Sequence, residues 1–378
     1  MTSASFPTDR ELDDETRAVL QRYGFDETTF GRLRSRLKAG SAGAESNRIR
    51  GEVVPPERGD VRALPALETE RRDRLAALGA EAIAAGKVGI VTLAGGMATR
   101  FGGVVKAGVE ALDGHSFLDL KLMDVQRLAE RLDAKIPAYL MTSFATDAEV
   151  SKLAAKASSE RVPVRTFPQY VSLRLTPEGE IFVDGSNRVS CYAPGHGDLP
   201  YALRRAGALA QFRNGGGEIL YMSNVDNLGA TLDPAVIGFH IEAGCAVTAE
   251  VVDKLPGDKG GAPARVDGDL QIVESFRFPE HFDQDDISVF NTNSFVLDAE
   301  QLDTDFPLTW FAVNKQVDGR DAVQFERLVG QITAFVPTAF LRVERSGPDG
   351  RFQPVKDPEE LETRRPEIRE LLRARGVL

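Results

Sequence analysis

The chain has 378 residues, 42% hydrophobic and 27% charged, which suits one large α/β domain with additions or two domains with a sizeable core. A formal net charge of -11 argues against a face built to wrap nucleic acid, yet leaves room for a nucleotide held by a few local cations and backbone amides. The two cysteines, Cys191 and Cys245, lie outside any CxxC pair and read as small thiols in or near the core; the opening MTSASFPTDRELDD does not read as a signal peptide, and no apolar run approaches the ~20 residues that span a bilayer, so the cytoplasm is the expected compartment.

Residues 12–23 and 25–37 carry apolar side chains at helical spacing among many charges. Residues 40–65, rich in Gly, Ser, Pro and charge, read as a linker or surface excursion, and 68–85 is a run of strong helix formers. At Lys87 the texture changes. Residues 88–93 are short, apolar and β-branched, as in a parallel strand buried on both faces. An amphipathic helix over 117–132, a strand over 138–142 and a helix over 146–157 follow, then a hairpin over 173–183 turning at Pro177-Glu-Gly179. A helix over 198–212 is expected to stop at Asn214-Gly-Gly-Gly217, followed by a strand over 218–225, a helix over 234–243 and a strand over 246–252. Residues 260–296 shift to strands and turns, expected as an antiparallel portion over the sheet, and 365–375 makes a final charged helix. The alternation predicts an α/β fold with a doubly wound, mostly parallel sheet. The expected division is a helical N-terminal extension (1–86), a catalytic domain (87–356) and a short C-terminal helical tail (357–378).

Several motifs carry possible chemistry. The loop Leu93-Ala-Gly-Gly-Met-Ala-Thr-Arg-Phe-Gly102 can bring amides close to an anion or a base, although it has neither P-loop nor GxGxxG order. Arg100 within it could meet phosphate oxygens through two hydrogen bonds, or stand exposed on a structural turn. Lys106 offers a mobile point charge. In Phe167-Pro-Gln169 the glutamine amide matches the imide edge of uracil, although read alone the motif points first to a surface glutamine. His196 lies between Gly195 and Gly197 in Ala193-Pro-Gly-His-Gly-Asp198, where a hydrogen bond or a cation to phosphate suits it better than a nucleophile's partner. Ser223-Asn-Val-Asp-Asn-Leu-Gly229 puts Asp226 at the carboxyl edge of a parallel sheet, a hard oxygen ligand fit for Mg2+ or an Asx turn ending the strand. In Phe290-Asn-Thr-Asn-Ser294 the alternation points Asn291 and Asn293 to one face, where with Glu274 they could hold sugar hydroxyls. Phe352-Gln-Pro-Val-Lys356 closes the series with a directed lysine.

In this succession, from about Ile90 to Lys356, the motifs resemble the UDP-glucose pyrophosphorylase, or UTP–glucose-1-phosphate uridylyltransferase, family. The resemblance implies a Rossmann-like, GT-A-like nucleotidyltransferase sheet. It implies that Leu93, Ala94, Gly95 and Gly96 bind UTP, that Lys106 contacts the triphosphate and that Gln169 binds uracil. Gly195 then serves the nucleotide, His196 the sugar-phosphate end, Asp226 the metal, and Asn224 the ribose or sugar. Gly261, Glu274, Asn291 and Asn293 surround the sugar, and Lys356 is a second phosphate-binding lysine. Three departures stand out. Ala94 and Thr99-Arg100 look more like the UDP-N-acetylhexosamine pyrophosphorylases and bacterial sugar nucleotidyltransferases, which opens the choice of sugar and makes Arg100 a candidate phosphate ligand. The stretch from Gly102 to Lys106 differs from the family's GPK sequence. The chain ends soon after Lys356, leaving no room for the C-terminal β-helix domain of eukaryotic members. The implied reaction moves UMP from UTP to a sugar 1-phosphate, glucose 1-phosphate first, giving a UDP-sugar and pyrophosphate with Mg2+. Other UDP-sugars, broad specificity, or a non-catalytic nucleotide-sugar-binding regulator are the alternatives. No nucleic acid or membrane partner is expected, and the oligomeric state is open.

Overall fold

Val88–Leu93 is apolar on both faces and buried on both, and it runs through the middle of an eight-stranded sheet in the computed structural model, which describes residues 12–43, 45–258 and 260–378. The strands of this sheet are β1 (Val61–Ala63), β2 (Val88–Leu93), β3 (Ala138–Thr142), β4 (Val164–Pro168), β5 (Ile219–Asn224), β6 (Val247–Asp253), β7 (Val289–Asp298) and β8 (Thr338–Arg342). They lie side by side as β1-β8-β6-β7-β5-β2-β3-β4. All neighbours are parallel except β7, which runs antiparallel to both β5 and β6. The expected antiparallel portion is therefore split. Ala262–Val266 and Asp269–Val273 form a hairpin off the sheet, while β7, apolar on both faces, is drawn inside it.

The helices are α1 (Asp14–Arg22), α2 (Glu27–Lys38), α3 (Glu70–Ala84), α4 (Phe117–Arg131), α5 (Asp147–Ala157), α6 (Leu199–Arg205), α7 (Ala208–Asn214), α8 (Pro234–Ala243) and α9 (Pro358–Ala374). α3, α4, α5, α8 and α9 pack their apolar stripes on one face of the sheet. On the other face lie α6, α7 and the 262–273 hairpin. α1 and α2 build a third cluster against Val171, Leu173, Leu175 and the hairpin Phe311–Val317 with Arg320–Glu326. No helix among the described residues is long and apolar enough to cross a membrane.

Three expectations shift. The helix expected over 198–212 is two, because Gly207 takes a left-handed φ of 66° between α6 and α7. The last helix starts earlier than expected: Asp357 caps it, Pro358 fits its first turn, and Pro366 is tolerated inside it while Leu361, Ile368, Leu371 and Leu372 are buried. The 40–65 stretch is held to the body of the protein. Val53–Val54 pairs with Arg265 and Val266, β1 edges the main sheet, and Asn47 bonds both the N–H and the carbonyl of Ala312.

Candidate functional site

The loops that leave the carboxyl ends of β2, β4 and β5 carry most of the motif residues, the edge at which open α/β sheets take ligands. β2 ends at Leu93, whose carbonyl accepts from Val225 N–H at 3.2 Å, so the glycine loop and the Asp226 turn start side by side. The glycine loop folds back on itself, Met97–Ala98 pairing with Val104–Val105. That return brings Lys106 N–H to the Gly96 carbonyl at 3.4 Å and its Nζ to Asp226 Oδ2 at 2.6 Å. Lys106, whose preceding residues depart from the family's pattern, thus meets the candidate metal ligand directly. Both side chains stay partly exposed, 17% and 18%.

A second cluster of candidates forms where β4 stops. Gln169 is buried, its N–H bonded to the Thr142 carbonyl at the end of β3. Its Oε1 accepts from Gly195 N–H at 3.1 Å, and a methyl group on Gly95 would overlap its Nε2. Gly95, Gln169 and Gly195, drawn from three distant motifs, therefore touch around one amide. Asp198 fixes this arrangement: one oxygen accepts from Tyr170 N–H at 2.9 Å and the other pairs with Arg327. Arg327 is sandwiched between Tyr201 and Trp310. His196 Nδ1 accepts from Val329 N–H at 3.1 Å, and burial pulls its imidazole down to about 4. With Nδ1 accepting from the backbone, Nε2 is the nitrogen left to donate.

The residues expected around a sugar also gather. Gly261 leaves the space beside the Glu274 carboxylate, since a Cβ there would lie 3.1 Å from its Oε2, and the Gly261 carbonyl accepts from Asn291 N–H at 2.7 Å. Burial pushes the Glu274 carboxyl up, with Arg277 opposing it. Asn291 and Asn293 are the part-exposed residues of the motif, while Thr292 and Ser294 are buried. Alternation alone does not put them there: the pairing of β6 with β7 slips at this point and Asn293 takes a φ of 58°. Asn291 Oδ1 accepts from Asn293 N–H, and Asn293 Nδ2 donates to Asn224 Oδ1, both at 3.0 Å. This cluster is thereby joined to the Asp226 turn.

Asn227 and Gly229 of the same turn seat the last motif. Asn227 bonds Arg351 O at 3.2 Å and Gln353 N–H at 2.8 Å, and a Cβ on Gly229 would meet the Arg351 carbonyl carbon at 2.7 Å. Phe352 meets Phe290 edge-on at 5.1 Å. Lys356, a few residues further, is exposed with no carboxylate at ion-pair distance among the described residues.

Two further candidates complete the set. Arg100 lies exposed in a short turn at the tip of the glycine-loop hairpin, with no hydrogen bond or ion pair to any other candidate. Ala94 is buried in the core, and its N–H is taken by the Met141 carbonyl, so it presents no side chain to a ligand. Among the described residues no group of three or more His, Cys, Asp or Glu gathers as a metal cage.

The sequence reading missed the supports beneath the Asp226 turn. Arg351 and Glu250, both fully buried, pair through two bonds of 2.6 and 2.9 Å, and Arg351 also reaches Tyr221 and Thr231. Lys121 is buried on the apolar stripe of α4, between Leu118 and Val125 at helical spacing. A charge inside such a stripe is the signal that could have flagged it.

A sequence profile of the family described as UTP–glucose-1-phosphate uridylyltransferase matches residues 36–370. The UTP–glucose-1-phosphate uridylyltransferase of Saccharomyces cerevisiae is 35% identical over 226 residues, 57% of this chain and 45% of the relative. The one numbered 2 from Dictyostelium discoideum is 30% identical over 316 residues, 79% of this chain and 60% of the relative. The chain thus spans about half the length of the curated relatives it matches. A mutant UDP-glucose pyrophosphorylase from Leishmania major superposes with a TM-score of 0.71 at 25% identity, covering 93% of this chain and 79% of that one. The UDP-N-acetylglucosamine pyrophosphorylase of Trypanosoma brucei, in complex with inhibitor, gives 0.75 at 20% identity over 93% and 79%, a likeness of fold. With the profile running from α2 through most of α9, and the motifs gathered at one edge of one sheet, this chain belongs to the UTP–glucose-1-phosphate uridylyltransferase family.

Proposed function

We propose that the protein transfers UMP from UTP to a sugar 1-phosphate, glucose 1-phosphate being the first sugar to test, with release of pyrophosphate. The observation that carries this reading is the meeting of Lys106 with Asp226 at 2.6 Å, on the same sheet edge as the Gly95–Gln169–Gly195 contact. One end suits phosphates and a cation, the other a base. Gln169, with Oε1 engaged by Gly195, keeps Nε2 to donate to a uracil carbonyl. His196 Nε2 donates to the sugar phosphate, and Glu274, Asn291 and Asn293 accept and donate around the sugar hydroxyls.

In the reaction an oxygen of the sugar 1-phosphate bonds to the α-phosphorus of UTP as the bond from that phosphorus to pyrophosphate breaks, in line and without a covalent enzyme intermediate. Positioning and charge neutralisation then supply the catalysis. Lys106 and Lys356 offset the charge on the phosphates. Asp226 is a single, part-exposed carboxylate, which fits a Mg2+ ion that brings most of its oxygen ligands from water and substrate phosphates. Such an ion would neutralise the departing pyrophosphate.

The test is pyrophosphate release from UTP and Mg2+ with glucose, galactose and N-acetylglucosamine 1-phosphates in parallel. Release with glucose 1-phosphate above the others supports the proposal, and release with another sugar reassigns the acceptor. Silence with all three, alongside binding of a UDP-sugar, makes the protein a regulator instead.

A further inference from the structure

Lys121 is the one lysine buried among the described residues, at 6% exposure, and no step above uses it. It projects from α4 under the Asp226 turn. Its Nζ donates to Ser223 Oγ at 2.7 Å and to the Ala230 carbonyl at 2.6 Å. Those acceptors bracket the turn: Ser223 lies just before it on β5, and Ala230 just after it. The flanking carbonyls are also held, Gly229 by Arg375 at 3.1 Å and Thr231 by Arg351 at 2.8 Å. Three consecutive carbonyls thus each receive a cation from a different part of the chain, and two of the three cations also grip the strand that leads into the turn, Arg351 at Tyr221 and Lys121 at its last buried residue, Ser223.

Stability does not account for a lysine here. No carboxylate lies at ion-pair distance from its Nζ among the described residues; Asp124 and Asp226 act on it from further away, and Arg351 and Arg375 oppose it. Burial pulls the ammonium down to about 7 against the pull of the two aspartates. An apolar side chain of similar length would fill the same slot of the core without the desolvation cost of an ammonium. Ser223 Oγ reaches the Ala230 carbonyl only at 3.4 Å, and what the ammonium adds is a shorter two-point tie across the turn that carries Asp226.

We infer that Lys121 is a positioning residue, holding the turn between Ser223 and Ala230 so that Asp226 meets the metal–triphosphate in register with Lys106. The inference rests on the proposed role of Asp226. Outer supports of this kind are worth about 10–100-fold in metal affinity. In the full chain, Lys121→Met should weaken Mn2+ binding in the presence of UTP by about tenfold, read by electron paramagnetic resonance. KM for UTP should rise by a similar factor, with KM for the sugar phosphate within about twofold and the melting temperature kept or raised. A lysine with a merely structural role would instead show a lower melting temperature and an equal loss for both substrates, which overturns the inference, as does unchanged Mn2+–UTP affinity. Should Lys121→Met fail to fold, Ser223→Ala carries the test, because it removes one of the two acceptors, and with it the long direct bond from Ser223 Oγ to the Ala230 carbonyl at 3.4 Å, and leaves the ammonium in place. A smaller weakening in the same direction supports the tie, and none overturns it. A wild-type protein that binds no Mn2+–UTP overturns the reading of Asp226 itself. A wild type and a variant that bind it equally well overturn the inference alone.

Discussion

The first carbon of a side chain at Gly95 would overlap Gln169 Nε2, so the glutamine amide would have to shift. Gly95→Ala should therefore displace the amide proposed to read uracil. Overpacking of this kind costs about 1–3 kcal/mol, or about ten- to a hundredfold in affinity. Steady-state kinetics should show that loss in KM for UTP, with far-ultraviolet circular dichroism unchanged; an unaltered KM would remove Gln169 from the base site. At this scale the sequence was most legible where chemistry sits in loops at strand ends. Gln169, Asp226 and Lys106 lie at such ends, and backbone geometry brings them together. Arg100 stands on the exposed turn that was one of its two readings, because the glycine loop folds into its own hairpin. Lys121 stayed hidden because a lysine on an amphipathic helix ordinarily reaches water, and only the turn packed above it shows that this one does not.

Helices and strands show a different limit. Val88–Leu93, Ala138–Thr142 and Pro234–Ala243 stand within a residue of where pattern put them, because apolar runs and a Pro in the first turn are local signals. The last helix, expected over 365–375, begins two turns earlier, where Asp357 caps it and Pro358 fits its first turn. β7 was placed over the sheet and not in it, since nothing local distinguishes an antiparallel strand of a hairpin from one inserted between two parallel neighbours. The same blindness covers the Arg351–Glu250 pair, joined across 101 positions of sequence. Arg351→Met leaves Glu250 buried without its partner, which costs about 3–5 kcal/mol. Chemical denaturation should show a loss of that size. A loss under about 1 kcal/mol would mean that the charge contributes little to holding the segment before Lys356.

For the molecule as a whole, the peripheral helices brace the edge of the sheet that carries the candidate site. Arg205 bonds the carbonyls of Tyr23 and Pro168, both at 2.9 Å, so the turn after α1 and the residue before Gln169 share one brace. At the other end of the chain, α9 reaches the carbonyl of Gly229 through Arg375. The ion pair between Lys106 and Asp226 has a thermodynamic corollary for the proposed site. A tethered ammonium already sits where a divalent ion would bind, so an ion arriving alone must evict an internal competitor, whereas a triphosphate arriving with it offers that ammonium a better anion. Occupancy by metal and by nucleotide is then coupled, each improving the other by the same factor. Lys106→Met should separate the two, binding Mn2+ alone more tightly than the wild type and UTP more weakly, and equilibrium titrations in which both affinities move the same way would exclude the competition.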